Sequence, residues 1–155
     1  MRARSAVLFL MGVVLPSTAS MAQSPNRLVG AWERFVLKDR AGASIQPPTP
    51  AAFLVFSPEG FYSQVAIPKD RPKVANPLAE MTKEELVARF ARVVSHWGRY
   101  TVAGDTLTRT FVASVNPNDE GPPHQVQRFR IEADVLILNS LSPGNQSEAR
   151  FRRAR

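Results

Sequence analysis

The stretch HWGRYTVAGDTLTRTFVASV, residues 96–115, decides the fold. β-Branched and aromatic residues flank Ala103-Gly104-Asp105, whose glycine and small polar residue are turn chemistry, so His96–Val102 and Thr106–Val115 are expected to form a hairpin. Side chains alternate along a strand. With the turn centred near Gly104, His96, Gly98, Tyr100 and Val102 therefore share a face with Leu107, Arg109, Phe111, Ala113 and Val115. The opposite face takes Arg99, Thr101, Thr106, Thr108 and Thr110 and is the wetter one. His96, Tyr100 and Arg109 thus point inward among apolar neighbours.

The same signals repeat along the chain. Leu28 to Lys38 reads as a strand, then Ala51 to Phe56 and Phe61 to Ile67, the last two joined by Ser57-Pro58-Glu59-Gly60. Proline second and glycine fourth suit a type I turn, so this is another hairpin. Its inward face stays open, because Phe56, Phe61 and Val65 compete with Phe53, Val55 and Tyr62. A third hairpin joins Gln125–Ile131 to Val135–Ser140 through Glu132-Ala133-Asp134. There Gln125, Gln127, Phe129 and Ile131 share a face with Leu136, Leu138 and Ser140, leaving Arg128, Arg130 and Glu132 outside. Glu148 to Arg153 could close the sheet. The proline groups Pro47/Pro48/Pro50, Pro68/Pro72/Pro77, Pro117/Pro122/Pro123 and Pro143 mark connections, since proline disrupts helices and central strands.

One segment departs from the strand pattern. Thr82-Lys83-Glu84-Glu85 has the form of a capping box, and Leu86, Phe90 and Val93 or Val94 follow at helical spacing, predicting a helix from about Thr82 to Val94. Its apolar stripe should cover one end or side of the sheet, with Phe90 and Val94 in the core and Trp97 docked beneath. The fold class is all-β: eight antiparallel strands with one helix between the third and fourth, either a sandwich or a closed barrel. Closure removes both edges, and eight strands leave an interior that is filled by side chains or holds one small ligand.

Gly30-Ala31-Trp32 on the first strand resembles the Gly-x-Trp signature of lipocalins, in which the indole closes the barrel floor under an arginine from the last strand. Arg150 or Arg152 is the nearest match for that arginine. More closely, the chain resembles the small bacterial and fungal lipocalin-like domain family. The matching pieces run in order: Gly30-Ala31-Trp32, Phe56 to Ser63, Arg71-Pro72-Lys73, Trp97 to Asp105, Pro117-Asn118 and Leu136-Ile137-Leu138. It departs from the family's preferences at Ala103 and Ala133, where turns favour acidic residues or glycine. The resemblance implies a calycin-type barrel with Gly30 and Trp32 as its structural floor, and carries no catalytic motif with it.

The N-terminus is set apart from the fold. Met1-Arg2-Ala3-Arg4-Ser5 is basic, Ala6 to Leu15 is an unbroken apolar run, and Ser20-Met21-Ala22 places small residues where a signal peptidase cuts. Residues 1–22 read as a signal peptide and 23–155 as one barrel domain, exported to the periplasm or the medium. The run is too short to span a bilayer, and no stable membrane insertion is expected after cleavage. Losing Arg2 and Arg4 takes the formal charge from +7 to +5. That modest excess without interleaved aromatic residues argues against nucleic acid as a partner. Cysteine is absent, which removes disulfides, thiolate metal sites and a catalytic thiol.

No hydrolase elbow, zinc-binding helix or phosphate loop is present, and neither a cofactor nor a metal is expected. His124 lies in a loop with Asp119 and Glu120 that reads as solvated rather than metal-binding. Asn145-Gln146-Ser147 matches a glycosylation acceptor by letters alone. The candidate ligand-binding residues are therefore the inward polar and aromatic ones: His96, Tyr100, Arg109, Phe111, Gln127 and Phe129. The expected partner is a small apolar or amphipathic molecule, with Arg109 meeting an anionic or carbonyl oxygen. The bland alternative is that these groups satisfy one another inside a filled barrel. Two other functions stay open: an isomerase or cyclase in which His96 or Tyr100 moves a proton, and an interaction protein that uses its outer face. The Pro-rich stretch Ile67 to Leu78 could also gate a barrel mouth.

Overall fold

Alternation of apolar and polar residues gives the sheet an apolar face, which must be covered. In the computed structural model, which describes residues 27–44, 51–73, 77–142 and 146–155, eight antiparallel strands form a closed barrel, each paired with its sequence neighbours and the last with the first. The strands are β1 Gly30–Lys38, β2 Ala51–Phe56, β3 Phe61–Ile67, β4 Val94–Ala103, β5 Thr106–Ser114, β6 Gly121–Glu132, β7 Val135–Ser140 and β8 Glu148–Arg153. The single helix, α1, spans Lys83–Phe90. The proposed signal segment, Asn145 and the side chain of His124 lie outside the described residues.

Register settles the open hairpin. Phe56 pairs with Tyr62, and both are buried, whereas Phe53, Val55 and Phe61 face outward and are exposed. Pairing fixes which face a residue takes, so an apolar letter on the outer face stays outside. The expected inward face of 96–115 holds from His96 to Phe111 but not at Ala113 and Val115. A bulge between Trp97 and Gly98 pairs His96 with Ser114 and Ala113 with the outward Trp97, and Val115 is exposed beyond the strand. Gly98 is required there, because a Cβ would lie 1.8 Å from the Thr110 carbonyl oxygen. Trp97 itself is 45% exposed and docks under nothing, contrary to expectation.

The capping box forms as read: Thr82 N–H donates to Glu85 Oε2 at 2.8 Å, and Glu85 N–H donates to Thr82 Oγ1 at 3.2 Å. The helix stops at Phe90, short of the expected Val94, because Val94 is taken into β4 opposite Ala66. No residue of α1 is buried; Phe90 and Val94 are exposed, so neither belongs to the core. β6 begins four residues before Gln125, and its backbone passes through Pro122 and Pro123 at an irregularity between Arg109 and Phe111 of β5. That break in the ladder is where a strand accepts proline.

The core sits at one end. Leu28, Trp32, Leu54, Phe56, Tyr62, Leu107, Phe129, Ile131, Leu136, Leu138 and Phe151 form one cluster beside the three tight hairpins. Trp32 is fully buried and donates its indole N–H to the Leu28 carbonyl at 2.8 Å. The arginine across its ring is Arg153, at 4.4 Å from the centroid, not Arg150 or Arg152. β8 pairs Arg153 with Trp32 and buries Phe151, which turns Arg150 and Arg152 outward to Glu148 and Glu33. Arg153 also donates to the carbonyls of Val29 and Arg27. Gly30 leaves it room: at φ +128 its missing Cβ would meet Arg153 Nη1 at 2.7 Å.

Candidate ligand-binding site

Away from that packed floor the interior turns polar. Arg109, two residues along β5 from Leu107, is 2% exposed. It donates from Nη1 to Gln64 Oε1 at 2.7 Å, from Nη2 to Gln127 Oε1 at 2.9 Å, and from Nη2 to Gln125 Oε1. Its guanidinium carbon lies 5.0 Å from the Tyr62 ring centroid. Tyr62 Oη and His96 Nδ1 share a hydrogen bond of 3.2 Å, and the His96 ring stacks on Phe111 at 4.2 Å. Four strands, β3 through β6, with their inward side chains in register, thus build one polar layer.

Burial sets the charge states. His96 is pushed down to about 4 by loss of water and then by the nearby Arg109 cation, so it is neutral at neutral pH. Tyr62 is pushed up to about 12 by burial, against the opposing pull of Arg109. Burial also lowers Arg109, to about 10, which leaves it protonated at neutral pH. The layer therefore carries a cation solvated by three neutral carboxamides and a neutral phenol–imidazole pair. Arg109 Nε is buried and has no hydrogen-bond acceptor.

Of the residues expected from sequence, His96, Arg109, Phe111 and Gln127 come together here. Tyr100 and Phe129 do not. The Tyr100 hydroxyl donates to the Ser57 carbonyl at 2.7 Å at the floor hairpin, with its ring edge-on to Phe56, and Phe129 is part of the floor cluster. Gly30 and Trp32 occupy the floor as the resemblance implies. Tyr62 and Gln64 were hidden by the ambiguous hairpin. Gln125 lies on the face that alternation places inside, and reaches Arg109.

At the end of the barrel opposite the floor, the Ile67–Lys73 segment and α1 border a cleft of about 720 Å³ with Lys69, Arg71, Lys73 and Arg89 in its wall. A second cleft, of about 460 Å³, runs between the Lys38–Gly42 turn and the β7–β8 connection and reaches Ser140. Among the described residues no three His, Cys, Asp or Glu side chains gather as a metal site. No described helix is long and apolar enough to cross a membrane.

No curated protein matches the sequence. Among solved structures, a lipocalin-like protein from Bacteroides uniformis is similar with a TM-score of 0.52 at 17% identity, over 83% of this chain and 99% of that one. An uncharacterized protein from Bacteroides eggerthii has a TM-score of 0.49 at 13% identity, over 82% of this chain and 99% of its own. A family model described as a lipocalin-like domain matches residues 29–154, which span the strands, the Trp32–Arg153 floor and the polar layer alike. The chain belongs to the lipocalin-like domain family.

Proposed function

We propose that this protein is exported and that the polar half of its barrel binds a small, largely apolar molecule. The observation that carries the reading is the division of the interior: a floor packed by large apolar side chains, then a layer whose central cation keeps an unpaired Nε–H. A barrel filled for stability alone gains nothing from an orphaned buried donor, which costs about 1–3 kcal/mol. A ligand whose polar end accepts from Arg109 and whose body contacts Phe111 and Tyr62 recovers that cost. Export is supported by the signal-like pattern of residues 1–22. Native mass spectrometry of protein purified from its own extracytoplasmic fraction tests for a retained molecule, and Arg109→Met should lose it while the melting temperature is kept. Loss of folding in that variant would mark the layer as structural.

A second reading, an interaction protein, has one observation in its favour. On the outer face Val55 pairs with Ser63 and Ser63 with Trp97, beside Phe53, and these three large apolar side chains are exposed. A light-scattering mass above that of one chain, lowered by Trp97→Gln, would support it. The isomerase or cyclase reading gains nothing from the geometry: a His96 held at about 4 is a weak base, and Tyr100 is tied to a backbone carbonyl.

A further inference from the structure

Arg34 is a second guanidinium in the barrel. It lies two residues beyond Trp32 and pairs with the buried Phe151, which places it on the inward face of β1. In an eight-stranded ring β1 stands opposite β5, so Arg34 and Arg109 project from facing walls. Among the described residues, the buried side-chain polar atoms without a partner are Arg34 Nε and Arg109 Nε.

The carboxylates complete the argument. All 13 Asp and Glu residues of the chain fall within the described segments, and none is buried. The least exposed are engaged elsewhere: Glu33 with Arg152, Glu148 with Arg150 and Glu85 in the capping box of α1. The acceptors that do reach Arg109 belong to glutamines, which solvate a charge without cancelling it. A buried cation without a counter-charge is costly, and the fold supplies none.

We propose that the molecule held in the barrel carries an anionic head group, a carboxylate, which sits between Arg109 and Arg34. This rests on the ligand-binding reading above and names the class of ligand. A neutral carbonyl could accept one N–H but would leave both charges uncompensated. A carboxylate has one oxygen for each guanidinium and forms charge-assisted bonds with both. His96 and Tyr62 are neutral at neutral pH and add no competing charge. The cleft wall of Lys69, Arg71, Lys73 and Arg89, at the end opposite the floor, raises the local concentration of anions.

Isothermal titration of the signal-free chain with decanoate, decanol and decylamine at neutral pH tests this. Decanoate should bind at least about tenfold more tightly than decanol, with decylamine weakest. Arg34→Met should weaken decanoate by about tenfold and leave decanol within about twofold. Arg34→Gln serves the same purpose if the methionine variant fails to fold. Equal binding of decanoate and decanol overturns the anion inference while leaving barrel binding standing. Unchanged decanoate affinity in the Arg34 variant likewise overturns it. Binding of none of the three overturns the ligand-binding reading and the inference with it.

Discussion

Leu107 and Arg109 stand two positions apart on β5, face the same interior and are almost equally shielded, at 0% and 2% exposure, yet different physics governs each. Leu107 belongs to the floor cluster, where shape and apolar area determine stability. Arg109 belongs to a layer where each polar atom needs a partner and the charge has none of opposite sign. One strand therefore carries an apolar, packed end and a polar end. Burial alone does not tell them apart; chemistry does.

Substitution at the two positions should separate stability from binding. Leu107→Ala is expected to cost about 2–5 kcal/mol in chemical denaturation, because the closed floor cannot collapse around the lost side chain. A cost near zero would show the floor to be loosely packed. The acid limb of stability comes next in size. Folded His96 titrates near 4, against 6.5 for an unconstrained ring, so below about pH 6.5 the unfolded chain takes up a proton that the fold refuses. Stability should therefore fall as pH drops from 6.5 to about 4, by about 2 kcal/mol beyond the loss in His96→Phe, which keeps the stack on Phe111 but cannot titrate. Parallel pH profiles for the two proteins would remove His96 from the polar layer's electrostatics. Arg109→Met should have the smallest effect on stability, within about 1 kcal/mol. Loss of the uncompensated charge offsets loss of its hydrogen bonds, and the three glutamines are free to reorient. A cost as large as that of Leu107→Ala would erase the distinction between the two ends.

Much of the fold was legible in the chain, and the reasons differ by element. The 96–115 and 125–140 hairpins have one face plainly wetter than the other, so parity around the turn placed Arg109 and Gln127 inside. The β2–β3 hairpin has large apolar residues on both faces, and no pattern could choose between them. That is why the pattern leaves Tyr62 as one of several competitors for the interior and gives no signal for Gln64. Arg34 was hidden for a different reason, since a charged residue on a strand is ordinarily read as outward. The floor arginine was misplaced because one position of register along β8 exchanges inside for outside, turning Arg152 away and bringing Arg153 over Trp32. Ala133 is a departure the structure explains in part: it holds φ +50 at the β6–β7 turn, a conformation in which glycine is at ease.

By itself the sequence determined the eight strands, their hairpin pairing and the capped helix. These depend on turn chemistry and local alternation, which act over a few residues. Tertiary structure alone decided closure of the barrel, the bulge that sets Ser114 opposite His96, and the convergence of Gln64, Gln125 and Gln127 on Arg109. These depend on register between strands far apart in the chain. It also decided that no carboxylate accompanies Arg34 and Arg109 inside, a fact about where 13 acidic residues come to rest after folding.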